Sequence, residues 1–166
     1  MTAQSPESRI LTLEEAVRWR RELKEKNMTL AVTNGCFDLM HRGHASYLAE
    51  ARNSADALLV LINSDASVRA LKGESRPVVT EHDRAFMLAS LRAVDRVVIF
   101  DSSRCDRELD ALAPDVYVKA GDYTLEKLDA SEREALQGNG TKIIFAPFVG
   151  GFSTTSIVEK ILNSSR

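Results

Sequence analysis

The chain has 166 residues, a formal net charge of −2 and 44% hydrophobic residues, which fits one globular domain with an ordinary core. The nearly balanced charge predicts no nucleic-acid partner and no membrane partner, so a phosphorylated ligand needs a local basic pocket. The chain has only two cysteines, no apolar N-terminal segment and no apolar run of about 18 residues. These features predict a cytoplasmic protein without a disulfide framework.

Short apolar runs alternate with helical patterns along residues 12–166, which we interpret as one domain after a polar N-terminal tail of residues 1–11. Thr12 followed by Glu15 is a capping-box signal for the first helix. The predicted strands are residues 30–34, 57–63, 96–100, 115–120 and 142–146. The first predicted helix begins at residue 12. The other predicted helices cover residues 43–54, 66–71, 82–93, 105–113, 131–137 and 154–162.

Continuous apolar strands that alternate with helices are typical of a parallel sheet covered on both faces. We therefore expect an α/β fold, a Rossmann-like, doubly wound sheet of five parallel strands with helices on both faces. Ligands of such folds bind beyond the carboxyl ends of the strands. Polar clusters follow the predicted strands at residues 33–44, 63–65, 119–123 and 150–156, and Lys72 and Arg76 lie in a loop that can fold over this edge.

The stretch TNGCFDLMHRGH holds two of the three histidines of the chain, His41 and His44. A catalytic zinc ion needs a third ligand, for which Asp38 is the one nearby candidate. Capping and packing of a turn is a second interpretation. A phosphate site explains more, because Gly43 lets the backbone approach an anion closely at a helix N-terminus, where amide and imidazole N–H groups donate to phosphate oxygens.

The stretch GGFSTTSI repeats this pattern before the last predicted helix. Two glycines open the loop, and Ser153, Thr154 and Thr155 place hydroxyls at another helix N-terminus. Simple N-capping by Ser153 or Thr154 explains this stretch taken alone. The presence of two such motifs in one chain favours phosphate binding.

The stretch NGCFDLMHRGH resembles the HxGH signature of the nucleotidyltransferase superfamily, which includes cytidylyltransferases and adenylyltransferases, and FSTTSI is similar to its second signature. NSDASVRALKGESRPV, AVDRVVIF, VKAGDY and the E-x-x-R of Glu81 and Arg84 resemble adenylyltransferase domains that act on D-glycero-D-manno-heptose 1-phosphate. The resemblance covers residues 30–162. It implies that ATP and the sugar 1-phosphate give ADP-heptose and pyrophosphate, with Mg²⁺, for lipopolysaccharide or surface-glycan precursors.

The same resemblance implies roles for individual residues. Charge at the α-phosphate and the leaving pyrophosphate would be stabilised by His41, His44 and Lys72. The residues expected to bind ATP are Asn34, Gly35, Cys36, Phe37, Gly43, Lys119, Gly121, Asp122, Ser153, Thr154 and Thr155. The residues expected to bind the sugar phosphate are Asp38, Arg76 and Tyr123. Asp122 is also the expected Mg²⁺ ligand, because Mg²⁺ needs few protein ligands beside phosphate oxygens and water.

Several of these residues have a second interpretation. Asp38 can hydrogen-bond a sugar hydroxyl or hold its loop through backbone amides. Arg76 can bind the sugar phosphate with its fork or lie at the surface, and Arg84 can hold phosphate or structure. Lys72 can be a solvated loop residue, and Cys36 a packing residue, because this mechanism needs no thiol nucleophile.

Three departures from the resemblance matter. Members of this family often carry a fused sugar kinase domain, and the 166 residues leave no room for one beside the adenylyltransferase domain. We therefore expect a separate kinase to supply the substrate. Gly150, Gly151 and Phe152 stand where glycerol-3-phosphate cytidylyltransferases carry an arginine, which counts against that substrate. Ala120 replaces an expected glycine, a small-for-small change. The resemblance also implies a homodimer.

Other functions remain open at this point. Cytidylyl transfer to glycerol 3-phosphate or a similar polyol phosphate, and adenylyl transfer to FMN, keep the fold and change the substrates. A catalytically silent nucleotide-binding protein is a different class. The presence of both histidines, Lys72 and the serine–threonine run argues against a silent protein.

Overall fold

The computed structural model describes residues 5–121, 123–146 and 154–164. Within these ranges all paired strands are parallel and form one sheet in the order β1-β4-β3-β2-β5-β6. The strands are β1 Ile10–Leu11, β2 Leu30–Gly35, β3 Ala57–Asn63, β4 Arg96–Phe100, β5 Val116–Ala120 and β6 Lys142–Ala146. The chain runs outward from β2 through β3 to β4 and then returns to β5, so the strand order reverses between β2 and β5. A reversal of this kind is where ligands bind in open α/β sheets.

Helices cover both faces of the sheet. They are α1 Leu13–Glu25, α2 Arg42–Arg52, α3 Asp65–Lys72, α4 Glu81–Ala89, α5 Asp106–Leu112, α6 Ala130–Gly138 and α7 Thr154–Ser164, and short 3-10 helices occupy Pro6–Arg9 and Leu125–Lys127. One core packs α2 and α4 on the sheet, and the other packs α1, α5 and α6 on the opposite face. Successive residues of β3 alternate between the two cores, and all seven are buried. The predicted Rossmann-like, doubly wound fold is confirmed.

The sheet has six strands where the sequence predicted five. The additional strand is β1, which forms one edge of the sheet and pairs with β4 through Ile10 opposite Val97. We had assigned these residues to a polar tail, because two residues are too few to show the period of a strand. Arg9 strengthens the attachment, since its Nη1 lies 3.3 Å from the Ala89 carbonyl oxygen.

The helix boundaries differ slightly from the prediction. Helix α4 ends at Ala89 rather than residue 93, because the chain turns there and places Val94 in the core. Helix α3 begins at Asp65, one residue before the predicted start, and Ser64 caps it, since the Ser64 hydroxyl accepts from the Ser67 amide at 3.2 Å. Sequence patterns locate helix ends to within a few residues, so these shifts are of the expected size.

The capping box of α1 is formed as predicted. The Glu15 amide donates to the Thr12 hydroxyl at 3.2 Å, and the Thr12 amide donates to the Glu15 carboxylate at 2.8 Å. This pair satisfies two backbone donors at the helix start.

Replacing Thr12 by alanine should lower the free energy of unfolding by about 1 kcal/mol, because the Glu15 amide loses its acceptor. Urea denaturation followed by circular dichroism measures the change. Thr12→Ser keeps the hydroxyl and should retain most of the stability. Equal losses in the two variants would contradict the capping role.

Candidate active site

A cavity of about 580 Å³ opens at the carboxyl edge of the sheet, beside the reversal of strand order. It lies where the fold predicts a ligand. The predicted site residues that line it are Asn34, Gly35, Cys36, Phe37, Asp38, His44, Lys72, Arg76, Lys119, Tyr123 and Thr154. The structure therefore brings together side chains that are up to 120 positions apart in sequence (34 to 154).

Some predicted residues lie elsewhere. His41, Gly43 and Thr155 belong to the starts of α2 and α7 but are not among the lining residues. Gly121 follows β5 with a φ of 110°, a conformation that favours glycine, and its amide donates to the Ala146 carbonyl oxygen. Asp122 and Ser153, with the glycines before Ser153, lie outside the described residues.

The two histidines form a stacked pair at the start of α2. Their ring centroids are 3.8 Å apart, and the Phe37 ring lies 5.2 Å from that of His44. The pKa of His44 is lowered to about 4, mainly by burial and to a smaller extent by the nearby His41 and Lys72. Burial also lowers the pKa of His41. At neutral pH His44 is therefore an uncharged imidazole, which offers one N–H donor to a ligand.

The nitrogen Nδ1 of His44 is buried and has no hydrogen-bond partner among the described residues. A buried polar atom without a partner is costly in a folded protein and often marks a functional site. Because the ring also lines the cavity, a ligand oxygen or an ordered water molecule is the natural partner for this imidazole.

Helix α2 is fixed to the sheet one turn after His44. The Tyr47 hydroxyl donates to the Val118 carbonyl oxygen at 2.7 Å and makes a short hydrogen bond with the Thr33 hydroxyl. Burial raises the pKa of the Tyr47 phenol, so the hydroxyl stays protonated. These bonds join α2 to β2 and β5 and thereby set the position of His44.

Gly35 and Phe37 shape the floor of the cavity beneath the histidines. Phe37 is buried with a φ of 47°, and a Cβ atom at Gly35 would lie 3.0 Å from the Phe37 ring. The glycine at residue 35 therefore leaves room for the Phe37 ring, which packs against His44. The resemblance implied only that Gly35 and Phe37 bind ATP.

Asp38 is engaged by the protein itself. Its Oδ1 accepts from the Val78 and Val79 amides at 2.8 and 3.0 Å, and its Oδ2 pairs with Arg76 Nε at 2.6 Å. Of the two interpretations of Asp38 drawn from the sequence, the structure contains the bonds to backbone amides. The loop of residues 73–80 is held in this way against the loop that follows β2.

Arg84 has a structural role in this arrangement. The residue is 1% exposed and donates to the Val79 and Cys36 carbonyl oxygens and to the Asp65 carboxylate. Its guanidinium joins three chain segments that border the cavity. These contacts bury the guanidinium, so Arg84 holds the three segments together and does not face a phosphate in the cavity.

Lys119 and Asn34 form a second polar group, on the β5 side. Asn34 Oδ1 accepts from Lys119 Nζ at 2.6 Å and from the Tyr117 hydroxyl at 2.7 Å. Lys119 Nζ also lies 5.2 Å from the centre of the Tyr123 ring. A lysine can only donate, so these bonds assign the amide oxygen of Asn34 and leave its NH₂ group as a donor.

One side of the cavity is lined by residues that the sequence motifs did not indicate. Ser103 and Arg104 follow β4, and residues 127–129 with Glu132 lie at the start of α6. Arg104 Nε pairs with the Asp129 carboxylate at 2.8 Å, and the Glu132 carboxylate accepts from the Cys105 amide. The rule that ligands bind after strands would have found Ser103 and Arg104, whereas Glu132 carries no such signal.

The described residues contain neither a cluster of metal ligands nor a membrane-spanning helix. Within residues 5–121, 123–146 and 154–164, no three histidine, cysteine, aspartate or glutamate side chains come close enough to hold a metal ion. No helix in the same ranges has the length and apolar character needed to cross a membrane.

A doubly wound parallel sheet with a cavity at its carboxyl edge that gathers cations, hydroxyls and helix starts is typical of nucleotide-binding α/β proteins. The chain belongs to the cytidylyltransferase-like family, whose model matches residues 32–160. This match includes both HxGH-like and STT-like stretches and nearly all of the sheet.

Curated relatives match most of the chain. The bifunctional protein HldE of Koribacter versatilis is 49% identical over 89% of this chain, and that of Citrifermentans bemidjiense is 41% identical over 98%. The chain spans only 29% and 33% of the length of these two relatives. A crystal structure of a lipopolysaccharide core biosynthesis protein from Thermoplasma volcanium has the same fold, with a TM-score of 0.60, 24% identity and coverage of 75% of this chain and 99% of that one.

The lowered pKa of His44 predicts a pH-dependent stability. Below a pH of about 6.5 the unfolded chain takes up a proton at this residue, whereas the folded protein resists it until pH falls to about 4. The free energy of unfolding should therefore decrease as pH falls through this window. Urea denaturation at several pH values should show a smaller decrease for His44→Asn than for the wild type. Parallel curves for the two proteins would contradict the shift.

Proposed function

We propose that this chain transfers the adenylyl group of ATP to D-glycero-D-manno-heptose 1-phosphate, giving ADP-heptose and pyrophosphate. The observation that carries the proposal is that His44, Lys72 and Thr154 line one cavity between two helix N-termini. The family match, the resemblance to heptose 1-phosphate adenylyltransferase domains and the identity to bifunctional HldE proteins support the choice of reaction and substrates.

The proposed reaction is an in-line displacement without a covalent intermediate. A phosphate oxygen of the sugar phosphate attacks the α-phosphorus of ATP, and the bond from that phosphorus to the bridging oxygen of pyrophosphate breaks. The attacking oxygen is already anionic, so no general base has to remove a proton. Catalysis then depends on positioning and on stabilising the charge at the α-phosphate.

The residues around α2 and α7 bind the triphosphate in this proposal. His41 and His44 donate to phosphate oxygens, and Lys72 reaches the α-phosphate from the end of α3. Thr154 and Thr155 contribute hydroxyls and backbone amides at the start of α7, together with Ser153. The N-terminus of each helix adds a partial positive charge, which favours an anion.

The remaining predicted residues bind the other parts of the two substrates. Asn34 and Lys119 lie on the β5 side of the cavity and contact the nucleotide and the α-phosphate, and Cys36, Gly43 and Gly121 belong to the same nucleotide-binding loops. Tyr123, beside Lys119, contacts the sugar phosphate. Arg76 binds the phosphate of the acceptor.

Magnesium fits this site only as an ion carried by the triphosphate. The described residues gather no cluster of three candidate ligands, so phosphate oxygens and water would supply most of the coordination, with Asp122 as a protein ligand. The ion would neutralise part of the phosphate charge. The protein residues named above bind and orient the two substrates.

The cellular setting follows from the same proposal. A kinase supplies the sugar 1-phosphate, the protein acts in the cytoplasm as a homodimer, and its product serves lipopolysaccharide or surface-glycan synthesis. Cytidylyl transfer to a polyol phosphate and adenylyl transfer to FMN are not favoured, because the curated relatives that match most of the chain are HldE proteins.

A turnover panel tests the proposed function. ATP and CTP are each combined with heptose 1-phosphate, glycerol 3-phosphate and FMN, and pyrophosphate release is measured together with the product mass. We expect turnover with ATP and heptose 1-phosphate, and a loss in kcat of about 100-fold or more for His44→Ala. Turnover only with another substrate pair, or none with any pair, would refute the assignment.

His82→Ala is the matched control for this panel. His82 is exposed on α4 and does not line the cavity, so its replacement should leave kcat and KM unchanged. A comparable loss in both histidine variants would point to a general effect on folding.

Binding of ATP should also raise the pKa of His44, because the triphosphate places negative charge beside the imidazole. At pH values just above about 4, binding should therefore take up protons. Calorimetry in two buffers of different ionisation enthalpy measures this uptake, which should be smaller in His44→Asn. Equal proton uptake by the two proteins would show that ATP does not contact His44.

A further inference from the structure

We infer that Asp38 is a positioning residue, which fixes the Arg76 guanidinium so that its outer edge binds the phosphate of the acceptor substrate. The inference rests on the proposed function for the identity of that phosphate. It replaces a direct contact between Asp38 and the sugar by an action through Arg76.

The contacts of Asp38 leave little capacity for a ligand. Its side chain accepts three hydrogen bonds from the protein, two from backbone amides and one from Arg76, at distances of 2.6–3.0 Å. The residue is only 4% exposed. A carboxylate that accepts three hydrogen bonds from the protein is held rigidly, which suits it to hold another group rather than to bind a hydroxyl.

The contacts of Arg76 leave the opposite edge of its guanidinium available. Asp38 takes the Nε–H group, and neither Nη atom has a hydrogen-bond partner in the ranges that the structure describes. Arg76 lines the cavity, with 17% of its side chain exposed. Because the guanidinium is planar, fixing Nε also fixes the plane in which the Nη donors lie. A phosphate accepts two parallel hydrogen bonds from such an edge.

The surrounding loop holds both side chains in register. Arg76 and the Val78 and Val79 amides belong to the loop of residues 73–80, which begins directly after Lys72. Arg84 fixes the end of this loop through the Val79 carbonyl oxygen at 3.0 Å. Asp38 comes from the loop after β2, which also leads to the histidine pair. The Asp38–Arg76 bond therefore sets the acceptor phosphate relative to the histidine side of the cavity.

Asp38→Asn separates the two tasks of the aspartate. The asparagine oxygen can still accept from the Val78 and Val79 amides, but its NH₂ group cannot accept from Arg76 Nε. The variant should keep the melting temperature near that of the wild type while releasing Arg76. Asp38→Ala loses all three bonds and should lower the melting temperature, which identifies the structural share of the interaction.

Steady-state kinetics of Asp38→Asn, Arg76→Gln and the double variant test the inference. Each single variant should raise the KM for heptose 1-phosphate by about tenfold or more, as expected for losing a charge-assisted pair, with the KM for ATP nearly unchanged. The double variant should be no worse than Arg76→Gln, because Asp38 acts through Arg76. Effects that multiply would overturn the positioning role, and a rise in the KM for ATP alone would overturn the assignment of the phosphate.

Arg52→Gln is the matched control. Arg52 pairs with Asp95 at 3.0 Å at the end of α2 that lies away from the cavity, so its loss removes the same kind of bond without touching the site. Its kinetics should equal those of the wild type. If Arg52→Gln raises the KM as much as Asp38→Asn does, a general effect on stability explains both.

Failure of the proposed function gives a different pattern. If the wild type turns over another phosphorylated acceptor, the same variants are measured with that acceptor, and the inference stands or falls on its KM. If no acceptor is turned over, calorimetry with inorganic phosphate decides. Asp38→Asn and Arg76→Gln must then weaken binding together, and unchanged binding in either variant overturns the inference.

Discussion

The buried guanidinium of Arg84 is the interaction on which the geometry of the site depends. It is 1% exposed and bonds to the loop after β2, to the start of α3 and to the loop before α4. Desolvating a cation costs several kcal/mol unless acceptors surround it, so the three segments have to stay together for the charge to be compensated. The same segments carry the histidines, Lys72 and Arg76. The contacts that compensate the charge of Arg84 therefore also position the histidines, Lys72 and Arg76.

The cavity suits an anion through its local arrangement of side chains and not through the charge of the whole chain. The formal net charge is −2, yet Lys72, Arg76 and Lys119 all line one cavity. The histidine pair adds donors without adding charge at neutral pH, because burial and the nearby lysine keep His44 neutral. Neutral donors suit the proposed reaction, since more fixed cations would hold pyrophosphate as strongly as ATP.

The sequence predicted the strands of five or more residues more accurately than the two-residue strand β1 or the contacts of the site. The bounds of β3, β4 and β6 match, because continuous apolar runs mark buried parallel strands, whereas β1 is too short to show a pattern. The motifs located the histidine loop, yet the bonds of Asp38 to residues 76–79 depend on tertiary folding that local spacing cannot encode. Glu132 reaches the cavity from α6 for the same reason.

The first turns of two helices, α2 and α7, contribute to this cavity, an arrangement that favours an anion. Thr154, at the start of α7, donates to the Leu39 carbonyl oxygen at 3.3 Å, close to the start of α2. Each helix start carries a partial positive charge, so the two repel when nothing lies between them. No residue of α7 is buried, and packing offsets this repulsion only weakly. A triphosphate placed between the helices, as proposed, turns the repulsion into attraction from both sides, so binding of the nucleotide and firm seating of α7 favour each other.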